Sequence, residues 1–314
     1  MNKINLSIII ISYNTKDITK QCIISIYKSL NVETLRRGVS INNIEIIVVD
    51  NASTDGSVEM LQQVQSSKCK VQNYSPKFKV IYNKENVGFA KANNIGVKQA
   101  QEKYILFLNS DIIVLDDAIN KLFEFYRQNE NQVHFLGGKL LNKNLSPQPS
   151  CGPFYSLPVI FGALFLRGDY WGLTRYSPNN SKMVDWVSGA CILTKKDYFN
   201  AINGFDENIF MYMDEIDMLY RAKKQNYQTC FYPKARFIHL GSASSNGKTY
   251  PIIQVFRGFI YFYKKHYDNP ISIFILIIML KLKALIALLL GRLTNNQYLV
   301  KTYAQAYQMA KMDK

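Results

Sequence analysis

The chain has 314 residues, 48% hydrophobic and 19% charged, with 16 Gly and 9 Pro, a composition that excludes disordered, collagenous and disulfide-framework classes. Its 38 Lys and Arg against 23 Asp and Glu leave a net charge of +15, which calls for an acidic partner: nucleic acid, anionic lipid or a phosphorylated substrate. The five cysteines, Cys22, Cys69, Cys151, Cys191 and Cys230, are odd in number and far apart with no CxxC pair, which excludes a zinc site of that type and suits a reducing cytoplasm.

The first apolar run, residues 6–11, lacks a basic n-region and a small-residue cleavage site, so it reads as a buried strand rather than a signal segment. Four β-branched-rich runs, 7–12, 44–49, 79–82 and 104–108, alternate with segments of helical period, the pattern of a parallel sheet built from βαβ units. Continuous hydrophobicity in the first, second and fourth predicts strands covered on both faces. Ile18, Cys22, Ile26 and Leu30 mark one helix stripe, and Val58, Leu61 and Val64 another, with Asp55 or Ser57 available as its N-cap. Between residues 88 and 100, Phe89, Ala92, Gly96 and Ala100 make a small-residue face that predicts a closely packed helix.

Residues 143–180 carry Pro147, Pro149, Pro153, Pro158 and Pro178 and read as an irregular connection suited to an acceptor loop. Regularity is expected again in the apolar run 187–193, a helix over 214–225 and a strand over 229–232. From residue 250 onward, 9 Lys and Arg stand against 2 Asp around the apolar stretch 271–290. Its fourteen Ile, Leu and Phe favour membrane insertion by roughly 4 to 8 kcal/mol, whereas Lys281 and Lys283 oppose it by about 5 to 7 kcal/mol. That near-cancellation favours a helix, or helix pair, lying in an anionic membrane interface over a true span. A helical subdomain packed on the main core or on a second subunit is the other reading.

Ligands of open parallel sheets bind beyond the carboxyl ends of the strands. Three such ends are polar here: Ser12-Tyr13-Asn14, Asp50-Asn51, and Asn109-Ser110-Asp111. An acid after the second strand suits a base imide or ribose hydroxyl, and one after the fourth suits a divalent ion on a diphosphate. No GxGxxG follows the first strand and no GxxxxGK[ST] occurs, so a metal is expected to neutralise phosphate. Downstream, Asp214, Glu215 and Asp217 crowd one helix start, more carboxylates than capping needs. His239 precedes a small-residue turn from which it can face the same site.

SIIIISYN, VVDNASTDGS, NVGFAKANNIGVKQA, LFLNSD, WVSGACILTKKDYFNAINGFDENIFMYMDEIDMLYRAKKQNY and HLGSAS together resemble, in order and spacing, the motifs of family 2 glycosyltransferases, over residues 5 to about 245. The likeness is to rhamnosyltransferase-like members of polysaccharide and O-antigen assembly. It implies an α/β fold of GT-A type, a Rossmann-like, mostly parallel sheet flanked by helices, followed by a helical membrane-associating region. The expected organisation is a nucleotide-sugar half (1–130), an acceptor and catalytic half (131–249) and a basic, apolar helical tail (250–314).

By the same resemblance, Asp50 matches the pyrimidine-contacting acid, and Asn86, Gly88, Asn93 and Asn94 the segment lining the nucleotide-sugar pocket; the strand-end Ser12, Tyr13, Asn14, Asn51 and Asn109 are expected to bind the same nucleotide sugar from their positions. Asp111 matches the last residue of the family's DxD metal motif, whose first position is Asn109 here, and His239 is the second expected metal ligand. Glu215 or Asp214 supplies the base, since this chain reads DE where many members read ED, and Trp186 forms an acceptor-side wall. The implied activity is inverting, Mg²⁺- or Mn²⁺-dependent transfer from a UDP- or dTDP-sugar to a glycan or polyprenyl-linked acceptor. The expected place is the cytoplasmic face of the membrane, without nucleic acid. A nucleotidyltransferase would carry a Gly-rich basic loop after the first strand, and a nucleic-acid-binding module a basic stripe interleaved with aromatics. SYNTKD is not such a loop, and the positive excess clusters with apolar sequence.

Overall fold

The structure, a computed structural model, describes residues 5–37, 43–66, 76–241, 249–267 and 269–310. Cys69 and the Ser242, Ala243 and Ser244 of HLGSAS lie outside them; the other four cysteines are free and buried. Its first part runs β1 (Asn5–Ser12), α1 (Lys16–Arg37), β2 (Asn43–Asp50), α2 (Ser57–Ser66), β3 (Lys77–Tyr82), α3 (Phe89–Gln99) and β4 (Tyr104–Leu108). These strands pair in parallel in the order β3-β2-β1-β4.

The continuous runs are explained by a core on each face. Leu6, Ile8 and Ile10 of β1 pack with Cys22, Ile26 and Leu30 of α1, while Ile9 packs with Ala90 and Val97 of α3. A Cβ on Gly96 would stand 2.6 Å from Ile9 Cγ2, so α3 depends on its small-residue face. In α2 the buried face centres on Met60 and Leu61, with Val58 and Val64 only half-buried. Asp55 Oδ1 accepts from both the backbone and the hydroxyl of Ser57 at its start.

The second part comprises β5 (Ile112–Val114), α4 (Ala118–Asn129), β6 (Phe135–Leu141), β7 (Cys151–Gly152), α5 (Leu157–Phe165), β8 (Lys182–Val184), β9 (Trp186–Val187), β10 (Cys191–Lys195), α6 (Lys196–Ala201), α7 (Asp214–Lys224) and β11 (Thr229–His239). It extends the same sheet as β4-β10-β6-β11-β5, with β10 antiparallel to both neighbours. One sheet therefore crosses residue 130.

Three local expectations need correction. The stretch 143–180 contains α5, because Pro158 sits in the first helical turn, where its missing N–H costs no helix bond. The run 187–193 is divided: β9 joins β7 in a two-stranded sheet and β10 enters the main one. β11 continues to His239 through a register shift between Tyr232 and Arg236, a span that includes Pro233, which has no ladder N–H to give.

The tail is three helices: α8 (Thr249–His266), α9 (Pro270–Leu293) and α10 (Gln297–Met309). α9 is long and apolar enough to cross a membrane by length and composition. One stripe, Leu276, Met279, Leu280 and Ala284, joins the core that also holds Trp186, Ile216 and Phe259. The opposite stripe, including Phe274, Ile278, Leu285 and Leu289, is exposed. Lys283 does not turn outward as expected for a headgroup-seeking lysine. Its Nζ donates to the Leu164 carbonyl at 2.7 Å, and burial lowers its pKa.

Candidate active site

The carboxyl ends of β1, β2 and β4 lie along one edge of the sheet, and the antiparallel β10 starts there because Cys191 pairs with Leu108. Pairing of β11 with β5 sets His239 opposite Ile112, and Leu240 N–H donates to the Asp111 carbonyl at 3.0 Å. A cavity of about 510 Å³ at this edge is lined by Tyr13, Asn51, Asn86, Asn109, Asp111, Trp186, Asp214, Glu215 and His239. Nine of the fifteen sequence-predicted site residues thus face one space.

At one side of it, Asp111 Oδ1 is 3.3 Å from His239 Nε2. The other ring nitrogen, Nδ1, is 2.7 Å from Gln148 Oε1. An amide oxygen can only accept, so Nδ1 carries a proton toward it and Nε2, on the Asp111 side, is the atom left to bind a cation. Asn109 Oδ1, buried beside them, has no hydrogen-bond partner. A carboxylate, an imidazole nitrogen and an unsatisfied amide oxygen fit a divalent ion that completes its shell with phosphate oxygens. Among the described residues no group of three His, Cys, Asp or Glu gathers as a self-sufficient metal site, so an ion held here would draw further ligands from outside the chain.

Elsewhere in the cavity α7 begins after Tyr212 and Met213, both left-handed with φ 65° and 67°, a costly conformation for side-chain-bearing residues that aims the helix start. Asp214 is buried and Glu215 partly open to the cavity. Burial, and then the Glu215 charge, hold the Asp214 carboxyl well above the usual carboxylate range. Burial raises Glu215 as well, opposed by backbone hydrogen bonds, including one from Gly189, and by the Arg175 charge. Asp217, grouped with them by sequence, faces away. It bonds Arg221 at 2.8 Å, Lys265 at 2.7 Å and His266 at 2.6 Å, tying α7 to α8.

Five predicted ligands do not reach the cavity lining, each because its polar atoms are used in the scaffold or lie beneath it. Ser12 Oγ is buried against Thr19 Oγ1. Asn14 bonds the Ser53-Thr54 turn, and Asn93 its own helix at the Phe89 carbonyl. Asn94 holds Phe205 and Glu207. Asp50 lies below the surface with Oδ1 accepting from Ser53 N–H and Oδ2 buried without a partner, an acceptor in reserve. Gly88 also stays off the lining. Its φ of 83° and the 2.6 Å that would separate a Cβ from the Phe210 carbonyl allow no side chain there, and its amide donates to Asn86 Oδ1.

The sequence reading missed Tyr155, Asp169, Arg175 and Ser188, which also line the cavity. Arg175 is the one Lys or Arg among the described lining residues. Its guanidinium lies 5.5 Å from the Trp186 ring centroid, and its buried Nε has no partner. Nothing in the proline-rich stretch marks it, since its position depends on the pairing of Cys151 with Val187 and on the bridge of Cys151 to Tyr176.

Residues 7–145 match the model of the family described as Glycosyl transferase family 2. An N-acetylglucosaminyl-diphospho-decaprenol L-rhamnosyltransferase of Mycobacterium tuberculosis is 25% identical over 224 residues, 65% of this chain and 69% of that one. Rhamnosyltransferase WbbL of Escherichia coli is 28% identical over 162 residues, 48% of this chain and 60% of that one. Among solved structures, the mannosyltransferase PcManGT from Pyrobaculum calidifontis, in complex with GDP-Man and Mn²⁺, aligns with all of this chain and 76% of its own, with a TM-score of 0.57 and 12% identity. At that identity the likeness speaks for the fold alone.

Proposed function

We propose, from the match of residues 7–145 to the family 2 glycosyltransferase model and the likeness of fold to a mannosyltransferase, an inverting transfer from a UDP- or dTDP-sugar to a hydroxyl of a glycan or lipid-linked saccharide in cell-surface polysaccharide synthesis. The observation that carries it is the sharing of one cavity by Glu215, with its raised pKa, and the Asp111–His239 pair. The relative named for N-acetylglucosaminyl-diphospho-decaprenol supports a polyprenyl-diphosphate saccharide as acceptor. Association with the cytoplasmic face of the membrane through the exposed stripe of α9 follows from such an acceptor.

In this reading the Glu215 carboxylate takes the proton of the acceptor hydroxyl. The acceptor oxygen bonds the anomeric carbon as the bond from that carbon to the diphosphate oxygen breaks, and the diphosphate leaves with the electron pair. Burial and the Glu215 charge hold the Asp214 pKa well above the ordinary carboxylate range, which favours leaving the negative charge of the pair on Glu215. Asp111, His239 and Asn109 would hold Mg²⁺ or Mn²⁺, which when bound supplies charge neutralisation to the leaving diphosphate. Asn51 and Asn86 orient the donor, and Trp186 offers an aromatic face to the acceptor sugar.

The test is calorimetric titration of UDP and dTDP with Mn²⁺ into native chain and Asp111→Ala. The variant is expected to fold and to lose the metal-dependent part of the affinity. Undiminished metal-dependent binding contradicts the assignment.

A further inference from the structure

The segment that follows α5 is ordered yet apolar on its outer side. Gly168 N–H donates to the Gly162 carbonyl at 2.9 Å, Tyr170 N–H to Arg167 at 2.8 Å and Leu173 N–H to Gly168 at 2.8 Å. A Cβ on Gly168 would stand 2.9 Å from the Gly162 carbonyl, so the turn is seated tightly on the end of α5. From this frame Leu166, Tyr170, Trp171 and Leu173 project into solvent, with Trp171 69% exposed.

The inner side of the same segment belongs to the cavity. Ala163, Leu164, Asp169 and Arg175 line it, and Asp169 accepts from Thr174 Oγ1 across the turn. α5 is held to α9 by Lys283 on the Leu164 carbonyl, so the exposed apolar chains of the loop and of α9 flank the same helix pair. Trp and Tyr beside Leu, with Arg167 in the turn, is the composition of a membrane-interface anchor. A second copy of the chain is a poor occupant, because two bodies of +15 repel each other and each is drawn to an anionic surface.

We propose that residues 166–173 form a membrane-inserting loop that places the mouth of the cavity at the surface of an anionic bilayer. The inference rests on the lipid-linked acceptor proposed above: an acceptor whose prenyl chain stays in the membrane must present its sugar within reach of Trp186 and Glu215. The loop supplies that by inserting on one side while carrying Asp169 of the cavity lining on the other, between the lining residues Leu164 and Arg175 that flank it.

The chain has two tryptophans. Trp186 is 1% exposed, so a vesicle-dependent change in emission reports Trp171. The full chain is mixed with vesicles of phosphatidylcholine alone or with phosphatidylglycerol, and flotation and tryptophan emission are read together. With anionic vesicles the chain is expected to float, its emission to shift to the blue, and acyl-chain bromines to quench it. Added salt weakens the binding. Trp171→Phe should float as well as the native chain without the emission change, while Tyr170→Ser with Trp171→Ser should weaken binding about tenfold or more.

Flotation with Trp171 still open to acrylamide overturns the loop assignment while leaving attachment through α9 intact. No flotation overturns membrane attachment altogether. Shielding of Trp171 without vesicles, in step with dimer formation, overturns it in favour of a second copy. Nucleotide-sugar turnover, measured without vesicles, reports separately on the enzymatic reading.

Discussion

Arg175 and Glu215 carry the most distinctive residue-scale expectation, because the Arg175 cation acts on the Glu215 carboxyl in a cavity with no other Lys or Arg among its described lining residues. Burial raises the Glu215 pKa and the Arg175 cation opposes that rise. Removing the cation in Arg175→Met therefore moves the acid limb of the pH–rate profile upward, and turnover lost near neutrality returns in part at alkaline pH. An unmoved limb with lower turnover would show Arg175 to act on the substrate instead. Asp214 has the opposite balance. Its pKa is raised well above its ordinary value by burial and by Glu215, so the folded state resists its ionisation and loses stability as pH rises through the carboxylate range. Asp214→Asn should raise the neutral-pH melting temperature, with the gain shrinking toward acid pH, where Asp214 is protonated in both states. A melting temperature that drops instead would mean the carboxylate is ionised and partnered in the fold.

Among the elements, α7 links site and tail, since its first turn faces the cavity and Asp217 on its other side holds Lys265 and His266 of α8. Burial alone would raise the Asp217 pKa, but hydrogen bonding by His266, the charge of Arg221 and hydrogen bonding by Lys265 leave it lowered. Its contribution is present above the ordinary Asp value and fades as pH falls through the lowered one. Asp217→Asn breaks a buried charge cluster and should cost about 3 to 5 kcal/mol in chemical denaturation at neutral pH; a loss under about 1 kcal/mol would mean that solvent screens the cluster. The legibility of the elements followed from how local their causes are. β1, β2 and β4 could be read as doubly covered because each is an unbroken apolar run, and α3 because its glycine and alanines repeat on one face. The division of 187–193 was not legible: it depends on Gly137 and Gly152, where added Cβ atoms would meet Val187 and Trp186, and on strands far away in sequence. Nor was the outward or inward turn of Asp217 and Lys283, which is decided by partners supplied by α8 and α5.

At the scale of the whole molecule, one core runs from β1 and β4 through Trp186 and α7 into α8, α9 and α10. The tail is thus part of the body that shapes the site, and the positive charge and exposed apolar stripes it carries lie on the same unit as the cavity. The sequence located the strand-end site, since polar residues after buried runs stand out, yet left Arg175, Tyr155 and Asp169 unseen because only tertiary pairing brings them in. The measurement that bears most directly on the account is nucleoside-diphosphate release from a panel of UDP- and dTDP-sugars, with Mn²⁺ and a saccharide acceptor, by native chain and Glu215→Gln side by side. At least one donor should be turned over by the native chain, with turnover in the variant lower by about 10² to 10⁴ and donor affinity nearly unchanged, as expected when a general base loses its charge but keeps its shape. Equal turnover by the two proteins would contradict the account.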